Sequence, residues 1–223
     1  MSQTRIVIMG AAGRDFHDFN TVFRGDERFD VVAFTHTSAQ NIGELDELPD
    51  RRYPAELAGE GYPEGIPIRA ESDLETIVDE EDVDTVVFSY SDVSHEHVMH
   101  QASRALAAGA DFRLIGPDRM MLRAEIPVVA VDAVRTGCGK SQTARKFADL
   151  LRERGKDVAV VREPMPYGDL VAQRIQRFES IDDLDESNVT IEEREEYESH
   201  IERGHVVYAG VDYEAVLDRV ENE

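Results

Sequence analysis

Short apolar runs alternate with amphipathic stretches along the first half of the chain. "RIVIM" (5–9), "VVAFT" (31–35), "VDTVVFSY" (83–90) and "DFRLIG" (111–116) are rich in β-branched and aromatic residues and read as strands. Between them, "SDLETIVDEED" (72–82) sets Leu74, Ile77 and Val78 at helical spacing behind Ser72, a candidate N-cap. "SHEHVMHQASRALAAGA" (94–110) predicts a helix capped by Ser94 and ended at Gly109. The Gly-, Pro- and Glu-rich stretch 41–67 reads as a loop. Strand and helix in alternation imply a mostly parallel sheet with helices on its faces, an α/β fold. The expectation for residues 1–125 is a Rossmann-like parallel-sheet domain.

After a connector, "GPDRMMLRAEI" (116–126), the pattern restarts. "PVVAV" (127–131) reads as a buried strand. "KSQTARKFADLLRERG" (140–155) reads as a helix with Ala144, Phe147, Leu150 and Leu151 on one face and Gly155 just past its end. "DVAVVR" (157–162) is the next strand and "VTIEEREEYESHIERG" (189–204) a polar helix with Thr190 as its cap. "HVVYAG" (205–210) gives a short strand and "YEAVLDRVENE" (213–223) a last helix. The expectation for residues 126–223 is a second α/β domain, the N-terminal portion of an incomplete P-loop NTPase domain, because such a domain normally needs several further strands.

Charge changes the picture. The net charge is −23, and only three lysines, Lys140, Lys146 and Lys156, accompany the arginines. So acidic a chain repels itself at low salt and is screened at high salt, which fits a salt-rich archaeal cytoplasm, with an ordinary acidic protein as the alternative. It excludes a nucleic-acid binder, which needs a basic face. No apolar run reaches the roughly 18 residues of a membrane span, and the start of the chain lacks a signal-peptide pattern, so a cytoplasmic protein without a membrane partner is expected. Cys138 is the single cysteine, which rules out an internal disulfide. It reads as a small filler between two glycines.

The candidate chemistry sits in "AVRTGCGKSQTAR" (133–145). The phosphate-loop pattern is G-x-x-x-x-G-K-[ST], and Gly139, Lys140 and Ser141 fill its second half. Val134 stands in place of the first glycine and cannot readily take positive φ, so the loop must begin more extended than usual. The function of such a loop is carried by backbone: glycines let successive N–H groups turn in around phosphate oxygens, and the following helix adds its positive end. On this reading Thr136, Gly137, Cys138, Gly139, Lys140, Ser141 and Gln142 cradle the nucleotide. Lys140 reaches the β- and γ-phosphates, and Ser141 ligates Mg²⁺. Arg135, inside the loop, suits an anionic substrate or else a surface ion pair.

"VVREPMPYGDL" (160–170) follows the next strand. Pro164 and Pro166 hold it extended, Gly168 allows a bend, and Arg162, Tyr167 and Asp169 are presented at the strand's carboxyl end, where α/β sheets bind ligands. Arg162 could clamp a phosphate or carboxylate, and Asp169 could hold Mg²⁺ or take a proton. A rigid connecting loop is the alternative. These two stretches, with "MGAAGRDFHDFN" and "IGPDRMML", resemble the archaeal cyclic 2,3-diphosphoglycerate synthetase family. The resemblance implies Mg²⁺- and ATP-dependent ring closure on 2,3-diphosphoglycerate, a small anionic phosphorylated substrate, with Lys140, Arg135, Arg162 and Asp169 as catalytic residues. GTP in place of ATP stays open.

In the first domain, Gly10 and Gly13 follow the first strand, but Ala12 and Asp15 occupy the other two glycine positions of G-x-G-x-x-G. No acid ends the second strand, where Thr35, His36 and Thr37 stand, which argues against NAD. The glycines could serve another anion or a contact between subunits, so a homo-oligomer stays open. Arg14, Asp15, His17 and Asp18 could bind substrate or could be solvated at a helix start. His95, His97 and His100 lack the spacing of a zinc motif and read as a solvated helix start. The competing functional classes are therefore a phosphoryl-transfer ligase, a GTPase or ATPase switch, and an NAD oxidoreductase.

Overall fold

The computed structural model describes residues 3–37, 51–91, 93–133, 137–165 and 168–223. Val134, Arg135, Thr136, Pro166 and Tyr167 lie outside the described residues, as does much of the expected loop at 41–67. The chain divides into two compact units, Met1–Leu122 with Asp169–Val171, and Arg123–Gly168 with Ala172–Glu223.

The first unit holds a six-stranded sheet. Its strands are β1 (Thr4–Met9), β2 (Phe29–His36), β3 (Arg52–Tyr53), β4 (Ile66–Ala70), β5 (Thr85–Phe88) and β6 (Asp111–Leu114), in the order β3-β4-β2-β1-β5-β6. All neighbours run parallel except β3 against β4. Setting β3 aside, the parallel strands follow the Rossmann order 3-2-1-4-5, with the reversal of direction between β1 and β5. Ile6, Val7, Ile8 and Met9 of the central β1 are all fully buried, as a strand covered on both faces must be.

Aromatic rings fill one face: Phe16 stacks on Tyr53 at 4.7 Å between centroids and meets Phe34 edge-on at 5.1 Å. Val7, Met9, Leu74, Ile77, Val86 and Phe88 pack on the other. The first helix, α1 (Arg14–Asp18), runs on into a π-helical turn, Phe19–Phe23. α4 (His95–Ala108) is capped as its sequence predicts. The Ser94 hydroxyl accepts the His97 amide at 3.1 Å, and Gly109 ends the helix in the left-handed conformation.

Two local expectations fail here. The stretch read as loop contains, within its described part, β3, the one-turn helix α2 (Ala55–Ala58) and the start of β4. Ser72 does not cap α3 (Leu74–Glu80). A 3₁₀ turn, Glu71–Asp73, precedes that helix, and the Ser72 hydroxyl donates instead to the Asp73 carboxylate. The expected connector holds one helical turn, α5 (Pro117–Met120).

The second unit holds β7 (Ala159–Arg162), β8 (Gln176–Phe178) and β9 (Val206–Ala209) in the order β7-β9-β8, with β9 parallel to β7 and antiparallel to β8. Its helices are α6 (Lys140–Glu153), α7 (Ile181–Asp185), α8 (Ile191–Ile201) and α9 (Tyr213–Asn222). Phe178, Leu184, Tyr197, Ile201, Val207 and Ala209 form the core.

The buried strand expected at 127–131 is not one. Among the described residues no strand pairs with it, so its backbone forms no ladder, and Val128 and Val129 are 69% and 55% exposed. The apolar face expected for α6 is likewise only partly covered: Ala148 is buried, but Phe147 remains 42% exposed. Among the described residues no helix is long and apolar enough to cross a membrane.

Candidate functional site

The glycine loop enters α6 through two residues in the left-handed region, Gly137 at φ 78° and Gly139 at φ 89°. A side chain at either would strain the turn. Gly139 is the N-cap, Lys140 the first helical residue, and no side chain caps this end. The first-turn amides therefore lack intrahelical partners and face the positive end of a 14-residue helix. Gly137, Cys138, Lys140 and Gln142 are exposed, and Ser141 is half-buried. The Cys138 thiol is not in a disulfide.

α8 faces this loop with a carboxylate that the sequence reading missed. The Ser141 hydroxyl donates to Oε1 of Glu196 at 2.9 Å, and Oε2 of Glu196 pairs with the Arg162 guanidinium at the carboxyl end of β7. One side chain thus joins the start of α6 to the end of β7 and brings Ser141 and Arg162 to a common partner. Glu193, one turn earlier, closes the capping box with Thr190 and also accepts the Met165 amide at 2.6 Å, which fixes the segment after β7. Only Thr190 as the cap was visible in the sequence; the part Glu193 plays in the box was not. Glu196 sits in a run of glutamates on a helix that reads as solvated, and nothing local distinguishes it from its neighbours.

Behind Glu196, His200 ends one face of α8. Its Nδ1 lies 3.1 Å from Nδ1 of His205, whose Nε2 is 3.2 Å from the Asp149 carboxylate on α6. Both rings are 1% exposed. Burial, then the neighbouring His205 and Arg145, pull His200 down to about 4, and burial also lowers His205 against the pull of Asp149. The pair is neutral near pH 7, so one Nδ1 carries the hydrogen and the other accepts it.

Asp169 lies with the first unit, is exposed, and accepts the Val171 amide at 2.9 Å. Among the described residues no group of three or more His, Cys, Asp or Glu side chains is placed to hold a metal ion. That includes His95, His97 and His100; His97 Nε2 is engaged with the Tyr90 hydroxyl at 2.7 Å. A cation at the loop would need Ser141 and oxygens of a bound phosphate. The Ser141 donor is directed at Glu196, which leaves its oxygen lone pairs available, so the residues present fit a phosphate-bound Mg²⁺.

The first unit's βα turn is occupied by its own side chain. The Asp15 carboxylate accepts the amides of Ala12, Gly13 and Phe16 at 2.8–3.0 Å, filling the cradle that a pyrophosphate would occupy. Asp15, His17 and Asp18 are buried, so they are not solvated at a helix start. His17 Nε2 meets the Met120 carbonyl at 2.7 Å. Burial raises the Asp18 carboxyl above the usual range, against the opposing influence of Ser89, Arg14 and His17.

The fold and site define an α/β protein with a mostly parallel, Rossmann-like sheet and a small second sheet, with a glycine loop at the start of a helix in the second unit. The chain is 61% identical over 219 residues, 98% of its length, to arginine synthetase ArcE of Thermococcus kodakarensis, and it spans 48% of that protein. Among solved structures it is similar to the Rex-family repressor RSP (11% identity, TM-score 0.37, 70% of this chain and 64% of that one). Another is the scyllo-inositol dehydrogenase of Lactobacillus casei (13% identity, TM-score 0.29, 79% and 45%). No protein-family model matches the chain.

The ArcE similarity overturns the reading as a cyclic 2,3-diphosphoglycerate synthetase, together with the ring-closing reaction. An alignment over 219 of 223 residues takes in both motifs on which that reading rested. The reason is physical. A glycine loop with lysine and serine specifies a phosphate chain and its cation, and says nothing of the acceptor.

Proposed function

We propose that this chain forms part of a nucleotide-dependent, arginine-forming enzyme, and that its second unit holds the nucleotide phosphates. The observation that carries the reading is the 61% identity to an arginine synthetase across nearly the whole chain. The site chemistry supports it. Building a guanidinium by joining an amine to a ureido-type carbon expels oxygen, a poor leaving group in water until it is phosphorylated. A phosphoryl donor is thus what such a synthesis needs, and phosphoryl transfer is mostly positioning and charge stabilisation.

The amides from Gly137 to Gln142 and the start of α6 would cradle the phosphates, with Lys140 neutralising the β- and γ-oxygens. Ser141 would ligate Mg²⁺, which when bound draws charge from those oxygens. Arg162, held at the end of β7 by Glu196, adds a second cation beside the serine. ATP is the donor we assign.

Because arginine is the product, the reaction is read most simply backwards. The full-length protein in molar KCl is given L-arginine, Mg·ADP and inorganic phosphate, and ATP is measured. ATP formation that requires arginine, and falls by ~10²-fold or more in Lys140→Ala, is the expected result. ATP formation indifferent to arginine, or none at all, removes the arginine reading; full activity in Lys140→Ala removes the loop from it.

A further inference from the structure

We infer that Glu196 is the positioning residue of the Mg·nucleotide site, supplying from a helix the acid that couples the loop serine to the arginine at the sheet edge. The inference rests on reading the loop as a phosphate site and assigns a role that neither sequence motif contains. Glu196 lies on α8, outside both motifs, yet each of its oxygens is committed to a residue of one of them, Oε1 to Ser141 at 2.9 Å and Oε2 to Arg162.

Two consequences follow from that bond pattern. A serine hydroxyl has one hydrogen and two lone pairs. With the hydrogen given to Glu196, the lone pairs are aimed away from the carboxylate and kept for a cation, whereas a freely rotating hydroxyl would spend part of its time with the hydrogen facing that cation. A carboxylate accepting from a metal ligand orients it and raises its basicity, as second-layer partners of metal ligands do. The other consequence concerns charge. A lone carboxylate beside a triphosphate would repel it, but Arg162 neutralises this one, so the pair presents the nucleotide with an oriented hydroxyl at little electrostatic cost. Arg162 then acts partly through Glu196, and the two should not behave as independent contributors.

The test is the Mg²⁺ dependence of ADP binding, measured by calorimetry on the full-length protein at fixed KCl, in excess Mg²⁺ and in EDTA. In wild type, Mg²⁺ tightens ADP binding. In Glu196→Gln that tightening shrinks by ~10-fold, the usual loss when a metal ligand's outer partner is changed, while affinity in EDTA is unchanged or higher. Ser141→Ala shows the same loss, and the double variant is no worse than either single one. Arg162→Ala weakens ADP with and without Mg²⁺, and adding Glu196→Gln to it restores part of the affinity by removing the unpaired carboxylate. A normal Mg²⁺ effect in Glu196→Gln overturns the inference and leaves the phosphate-loop reading standing. Should Glu196→Gln fail to fold, a Ser141→Ala protein with a normal Mg²⁺ effect overturns it equally. Wild-type protein that binds no ADP overturns both.

Discussion

A Cβ on Gly10 would lie 2.4 Å from Oδ2 of Asp15. The glycine at the end of β1 and the acid at the start of α1 thus occupy what is in effect one space, and Gly10 also has φ 118°, which side chains rarely adopt. Gly10→Ala must displace a buried carboxylate and strain the backbone together. We expect it to destabilise the first unit by about 2–4 kcal/mol in denaturant unfolding. A loss under about 1 kcal/mol would mean that the acid moves freely, contrary to its three amide bonds.

Removing the acid has a different signature. Asp15→Ala leaves the amides of Ala12, Gly13 and Phe16 without their acceptor, at a cost of about 2–3 kcal/mol. The vacated cradle is then an anion site. Added sulfate should raise the melting temperature of Asp15→Ala and leave that of the wild type unchanged at matched ionic strength. Equal responses would show that the turn is not built for an anion.

Acid should loosen the second unit through its histidines. His200 is pulled from an ordinary 6.5 to about 4, and His205 moves the same way. Between those values the unfolded chain binds a proton that the folded chain does not. Stability therefore rises with pH across this window and is lost as pH falls from about 6.5 toward about 4. The shift at His200 corresponds to as much as ~3 kcal/mol. Unfolding followed from pH 7.5 to 4.5 should show that slope, and His200→Asn should flatten it.

Most of the first unit was legible in the chain. Runs such as 5–9 and 83–90 are apolar because β1 and β5 are covered on both faces, and Ser94 and Gly109 mark the ends of α4 by local chemistry. Residues 127–131 have the same composition as those runs and form no strand. Apolar sequence states what a segment would bury, whereas a strand also needs a neighbour to pair with. The loop glycines were readable because positive φ leaves a local trace at Gly137 and Gly139. Glu196 was not, since its importance comes from Ser141 and Arg162, which lie 55 and 34 residues away in the chain. Asp15 was visible as the residue that spoils a dinucleotide fingerprint, but its folding back into the turn was not.

Thr190→Ala tests how firmly α8 is anchored. The threonine hydroxyl accepts the Glu193 amide at 3.2 Å, and the Glu193 carboxylate accepts the Thr190 amide at 2.7 Å. Loss of the cap should cost about 1 kcal/mol in unfolding experiments. Because Glu193 also holds the Met165 amide, faster hydrogen exchange at Met165 should accompany it.

Glu193, Glu196 and His200 stand three and then four residues apart on α8, so they share one side of it. Along that side they hold the segment after β7, the Ser141–Arg162 pair and the approach to β9. The helix works as a camshaft, with three contacts set at one phase. Evolution can exchange residues elsewhere on its surface one at a time, but it cannot change the helix's length between Thr190 and His200. A single residue inserted between Thr190 and Glu193 would turn every later contact by about 100° and disengage the loop, the sheet edge and the histidine pair together.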